Sequence, residues 1–349
     1  MLKANYIYHP LHFKHPAGTS RGVLQHKASW FFQIWEVENP AVHGTGEVSI
    51  IKGLSLDNEK EIQNELKFLC QKTKDYQNWI AAKGDRFPAI LFGIETALSD
   101  LQNGGKQIFH QNTFTEGKAG IPINGLIWMG EPTYMQHQIR KKLDAGFSCI
   151  KIKVGAIDFE QEVALIKQLR NQFSAQTIEI RLDANGAFSK EEALQKLNKL
   201  AAFNIHSIEQ PIKAGQKESM AKLCQKSPIP IALDEELIGV KKSQINDLLD
   251  TIKPQYVILK PSLLGGFSVA DSWISAAEKR HIGWWATSAL ESNIGLNAIA
   301  QWVFEKKPEM PQGLGTGQLY TNNIASPLEI RDAKLYYNPG ISWQNSFDR

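Results

Sequence analysis

Cysteine is scarce in this chain: Cys70, Cys149 and Cys224 lie far apart and form no CxxC pair. An odd, scattered set argues against a disulfide framework and fits a reducing, cytoplasmic setting. Long apolar runs are missing too. No window approaches the ~18 consecutive apolar residues of a membrane span, and the opening MLKANYIYHPLHFKHP lacks the apolar stretch of a secretory signal. Nor does one sign of charge dominate. The net charge is +3, from 39 basic and 36 acidic residues with no long basic run, so binding to nucleic acid or a membrane surface has no electrostatic support. The remaining composition is that of a folded protein. A chain of 349 residues exceeds what one compact core usually holds, so a barrel-sized domain plus a smaller one is expected. Monomer and homo-oligomer are both open.

Two regimes follow along the chain. Residues 6–13, 29–37 (SWFFQIWEV) and 46–51 are rich in aromatic and β-branched types and predict an antiparallel meander. Asp57 is the expected N-cap of EKEIQNELKFLC. Pro88 opens AILFGIETALSDL, which Gly104 and Gly105 stop. From about residue 121, short apolar runs alternate with amphipathic helices. The runs are 123–129, 149–154, 178–183, 205–210, 229–234, 256–260, 282–288 and a weak last one near 313–317. Eight such units predict an α/β fold with a (β/α)8-type barrel. The expected division is an α+β domain over 1–115, the barrel over 116–325, and a tail over 326–349 that packs back on the N-terminal domain.

Charged residues fall at the ends of successive runs: Lys151 and Lys153, then Asp183, Glu209, Asp234 and Lys260. The steps from 153 to 183, 209, 234 and 260 are each one βα unit, so five consecutive strands deliver a charge to the rim where barrel enzymes keep their chemistry. One acid at a strand end is more often a helix cap. Three chosen positions are all acidic by chance roughly once in a thousand trials, given 36 acids in the chain. Three converging carboxylates would repel and raise one another's pKa. A hard divalent ion with oxygen ligands, Mg²⁺, resolves this. Lys151 and Lys153, two apart on a strand, face the same side. Beside a metal and another ammonium such a lysine is expected to lose pKa and serve as a base. Lys260 faces them across the mouth, because strands two and six of eight lie opposite. Other features read as structure. His206 is a packed or surface histidine, Gly265-Gly266 is weak evidence for a phosphate nest, and of Trp284 and Trp285 at most one faces the barrel.

The stretches KIKVG (151–155), RLDANGAF (181–188), SIEQPI (207–212), ALDEEL (232–237), LKPSLLGG (259–266) and TSALESNIGL (287–296) resemble the enolase superfamily, whose Lys or His bases work with Mg²⁺. More closely, they resemble the o-succinylbenzoate synthase family of the muconate-lactonizing subgroup. The resemblance implies a lyase of menaquinone biosynthesis that removes water, syn, from 2-succinyl-6-hydroxy-2,4-cyclohexadiene-1-carboxylate. It implies Asp183, Glu209 and Asp234 as ligands of Mg²⁺, with Mn²⁺ the alternative. Lys153 would be base and then acid, Lys260 would stabilise the enediolate, and Lys151 would help hold the substrate carboxylate. Asn185, Glu235, Gly265, Gly266 and Ser288 are implied as substrate-binding or supporting residues, as are Ser20 and Arg21. The last two lie in GTSRGVL (18–24), which resembles the mobile loop by which that family's capping domain closes over substrate. An N-acylamino acid racemase with the same lysine pair is the alternative. A dipeptide epimerase is disfavoured because 313–317 (GLGTG) lacks the Asp-x-Asp of those enzymes. A non-catalytic barrel is disfavoured by six well-placed charges.

Overall fold

Ser29–Glu36 forms the middle of a three-stranded antiparallel sheet, between Leu2–Tyr8 and Asn39–Ser49. Its burial does not alternate because it is covered on both faces: Trp30, Phe32 and Ile34 pack in the small-domain core, whereas Phe31 packs with Ile294 and Ile324. The computed structural model describes residues 1–19, 22–128 and 131–343.

The expected meander is corrected in two respects. The stretch 6–13 breaks at Pro10, which cannot donate to a ladder, and becomes the end of one strand and the start of another. That second strand, Leu11–Thr19, pairs with Gly22–Lys27 in a separate hairpin, and Ser29–Glu36 then returns to pair with the first strand. The expected loop at 18–24 is thus drawn into a hairpin; Ser20 and Arg21 lie outside the described residues. Asp57 is not the cap of helix Glu59–Gln71. Asn58 is, accepting from the Glu61 amide at 3.0 Å in a capping box, because the acid that completes the box stands three residues after Asn58. Helix Pro88–Gln102 begins at its proline as expected.

Seven parallel strands follow one another in sequence order around a curled sheet: Gly125–Ile127, Cys149–Lys153, Glu179–Asp183, Ser207–Glu209, Ile231–Leu233, Tyr256–Leu259 and Gly283–Ala286. Helices connect them. The expected eighth strand near 313–317 is reduced to bridges. Gln312 pairs with Ile123, and Gly313 with Thr287. On one side the Gly313 amide donates to Ala286 at 2.8 Å; on the other the Asn124 amide donates to Gln312 at 3.0 Å. Glycines at 313, 315 and 317 disfavour extended pairing, yet at Gly313 a Cβ would stand 2.4 Å from Thr287 Cγ2, so only glycine lets the segment approach. Trp285 is buried against Ala232 and Ile258, while Trp284 is only partly buried, as their adjacency requires.

The tail divides its contacts between the two domains. Leu328–Arg331 and Lys334–Tyr337 form a hairpin whose ladder continues onto Ile121–Pro122 rather than the N-terminal sheet. Among the described tail residues Trp343 packs on the cluster containing Phe31, and Tyr337 stands edge-on to Phe114 at 6.2 Å.

Candidate active site

The parallel register places Lys153 beside Asp183, Asp183 beside Glu209, and Glu209 beside Ala232, two residues before Asp234. All the charged strand ends named above therefore meet at one rim. They line or underlie one cavity at that rim, walled by residues of both domains. Lys151, Lys153, Asp183, Asn185, Glu235, Lys260 and Ser288 all face it. Glu209 and Asp234 lie beneath, each 2% exposed.

The ammonium groups and carboxylates are interleaved. Lys151 Nζ donates to Glu209 and stands 2.9 Å from Asp183 Oδ2. Lys153 Nζ is 3.1 Å from the same oxygen and also donates to Asn185 Oδ1. Asn185 Nδ2 in turn donates to Glu235 Oε1 at 3.0 Å, so these two residues form a strut that aims Lys153. On the far side Lys260 Nζ bonds Asp234 and lies 3.9 Å from Glu209 Oε1. Asn185 sits at φ +44°, which turns its side chain back toward Lys153 just past the strand end, and its amide donates to Asp183 Oδ1 at 3.1 Å.

The electrostatics follow from this packing. Burial pushes the Glu209 carboxyl well up and Asp183 adds to the push, against the pull of Lys151. Burial also works against ionised Asp183 and Asp234, but Lys151 and Lys153 hold the first below the ordinary range and Lys260 holds the second there. Burial disfavours the Lys151 and Lys260 ammoniums, yet Asp183 and Glu209 for the one, and Asp234 and Glu209 for the other, more than offset it and raise both.

Among the described residues no group of three or more Asp, Glu, His or Cys side chains is gathered as metal ligands, since the carboxylates turn onto the lysines. The donor set nonetheless fits a hard divalent ion. All its atoms are carboxylate oxygens, Glu209 Oε1 is buried with no hydrogen-bond partner, and the carboxyl it belongs to is the one that burial, helped by Asp183, pushes up.

Two expected contacts are not at the pocket. Gly265 ends the turn Pro261–Leu264 and Gly266 precedes helix Phe267–Glu278. A Cβ on Gly266 would meet Glu95 Oε2 at 2.1 Å, so this glycine serves an interdomain contact. His206 stacks on Tyr256 at 5.1 Å and bonds its neighbour Ser207, outside the pocket lining. Several lining residues escaped the sequence reading. Asn124 and Thr287 face the cavity with buried, unpartnered side-chain oxygens, and Thr316 bonds Ser288 at 2.7 Å. A polar residue in the otherwise apolar 123–129 run was a usable signal for Asn124. Nothing local marks Lys52 or Leu54, which the small domain contributes.

The model of the enolase C-terminal domain-like family matches residues 134–344. The chain is 49% identical to the o-succinylbenzoate synthase of Desulfotalea psychrophila, over 94% of this chain and 97% of that one. The crystal structure of MenC from Desulfotalea psychrophila superposes with a TM-score of 0.86 at 45% identity, covering 96% of this chain and 99% of the other. A dipeptide epimerase from Enterococcus faecalis, complexed with Mg and L-Leu-L-Tyr, shares the fold at 20% identity, with a TM-score of 0.84 and 97% of each chain covered.

Proposed function

Because the chain belongs to the enolase superfamily and, within it, to the o-succinylbenzoate synthase family, we propose that its lysines carry out a syn-dehydration of 2-succinyl-6-hydroxy-2,4-cyclohexadiene-1-carboxylate to o-succinylbenzoate, a step of menaquinone biosynthesis. The observation that carries the reading is Lys153 and Lys260 confronting each other across one cavity, with three buried carboxylates between them.

Asp183, Glu209 and Asp234 would hold Mg²⁺, which supplies positive charge to the substrate carboxylate as the α-carbon loses its proton. Lys153, as the free amine, takes that proton. The strut through Asn185 and Glu235 keeps its nitrogen at one face of the ring. The electron pair moves into the carboxylate as an enediolate, and Lys260 on the opposite side offsets the added charge. When the pair returns to form the new ring double bond, the C–O bond breaks. Lys153 gives its proton to the departing hydroxide, so water leaves and the amine is restored. One lysine can serve both transfers because both groups depart from one face. Lys151, paired with Asp183 and Glu209, helps receive the carboxylate and keeps its neighbours aligned.

The neutral far wall, with Asn124, Thr287, Ser288 and Thr316, suits the succinyl arm. The segment 313–317 offers no acid to a substrate ammonium. The purified protein with Mg²⁺ should convert the cyclohexadiene, followed by ultraviolet absorbance, and a parallel assay on N-succinylamino acids reads the racemase alternative. Racemisation without dehydration would refute the reading.

A further inference from the structure

Two carboxylates of the small domain cross to the barrel, and both cap helices there. Glu95, on helix Pro88–Gln102, accepts from the amides of Phe267 and Ser268 at the start of Phe267–Glu278. Glu47, on strand Asn39–Ser49, does more. It is fully buried. Its Oε1 accepts from Ser29 Oγ at 2.8 Å and the Ser292 amide at 2.9 Å; its Oε2 accepts from Ser292 Oγ and from the Gly295 amide at 3.0 Å. Ser292 is the N-cap of helix Asn293–Glu305, so one carboxylate from the small domain occupies donors that this helix cannot satisfy internally.

Immediately before that helix runs the pocket wall, Thr287, Ser288, Ala289 and Leu290. Leu290 is at φ +62°, a conformation a branched side chain does not hold unless its surroundings impose it. Next comes Glu291, fully buried, which accepts from Ser262 Oγ. Ser262 lies in the turn Pro261–Leu264, two residues beyond Lys260.

We propose that Glu47 is a positioning residue for the dehydration: by gripping Ser292 and Gly295 it sets the 287–290 wall and, through Glu291 and Ser262, the turn that carries Lys260. This rests on the functional reading above. Glu47→Gln replaces one acceptor oxygen by a donor, which faces either the Ser29 and Ser292 pair or the Ser292 and Gly295 pair. Displacements near 1 Å at a catalytic group cost on the order of 100-fold.

The test compares Glu47→Gln, Ser292→Ala and Glu95→Gln in the full chain with Mg²⁺, by kcat and KM well below each Tm and by hydrogen exchange of residues 288–296. Glu47→Gln should lower kcat/KM about tenfold or more, the loss falling in both constants, and accelerate exchange. Glu95→Gln should lower Tm and leave kcat/KM within about threefold, because the helix it caps, Phe267–Glu278, contributes no residue to the pocket lining. Should Glu47→Gln not fold, Ser292→Ala keeps the carboxylate and is expected to lose about threefold or more. Unchanged kcat and KM, unchanged exchange, or equal losses in the Glu47 and Glu95 variants would overturn the proposal and leave Glu47 as docking alone. Wild-type protein inactive on the cyclohexadiene would sink the functional reading instead, while the exchange measurement still decides whether Glu47 holds the wall.

Discussion

Lys153 and Lys260 differ in what surrounds them, and the roles proposed for them differ too. Lys153 touches Asp183 and is braced by the neutral Asn185, whereas Lys260 sits between Asp234 and Glu209, which favour its charged form. We propose Lys153 as the proton carrier and Lys260 as the fixed cation. Lys153→Arg should therefore lower kcat by on the order of 10²–10⁴, because a guanidinium cannot act as base at accessible pH. Lys260→Arg should keep at least about tenfold more activity. Dehydration rates by ultraviolet absorbance decide it, and a more active Lys153→Arg would reverse the assignment.

Among the elements, the small domain stores a cost that depends on pH. Asp57 precedes the capped helix Glu59–Gln71 and follows Leu54 of the pocket wall, and burial pushes its carboxyl from 3.8 up to about 7, with Arg86 opposing only in part. An acid with a raised folded-state pKa contributes fully below its unfolded value and loses that contribution as pH climbs through the folded one. Stability should thus fall between about pH 4 and 7, by on the order of 2–4 kcal/mol at 1.36 kcal/mol per pH unit, relaxation included. Asp57→Asn, which cannot ionise, should raise Tm at pH 8 and change it little at pH 4. Melting curves at the two pH values giving the same difference would contradict this. A second element-level feature is steric. At Gly46 a Cβ would stand 2.1 Å from the Gly93 carbonyl, so strand Asn39–Ser49 and helix Pro88–Gln102 meet backbone to backbone. Gly46→Ala should cost about 1–3 kcal/mol in denaturant unfolding, since neither backbone can yield.

Across the whole molecule, lysines already neutralise the carboxylates at the barrel rim. Three bare carboxylates in a buried ring would destabilise the fold; three carboxylates interleaved with three ammoniums need not. Chelator treatment should consequently abolish dehydration while leaving the far-ultraviolet circular dichroism intact and Tm lowered by less than about 10 °C. Collapse of the fold on chelation would mean that the ion pairs do not sustain the empty rim. No described helix is long and apolar enough to cross a membrane.

The sequence by itself determined the barrel and its charged rim. Both are periodic: a parallel strand has a near-fixed length and each βα unit a near-fixed spacing, so Lys153, Asp183, Glu209, Asp234 and Lys260 were legible as one set. Local chemistry also fixed the start of Pro88–Gln102, though it misplaced the cap at Asp57 by one residue. What only the tertiary structure decided has no local period. The reduction of the eighth strand to bridges at Gln312 and Gly313 depends on Thr287, which is distant in sequence. The separation of Gly266 from the pocket depends on Glu95, and the wall at 287–290 depends on Glu47, more than 240 residues away. Contacts of that kind are set by how two domains pack, and a single chain read in order carries no signal of which distant carboxylate will meet which helix terminus.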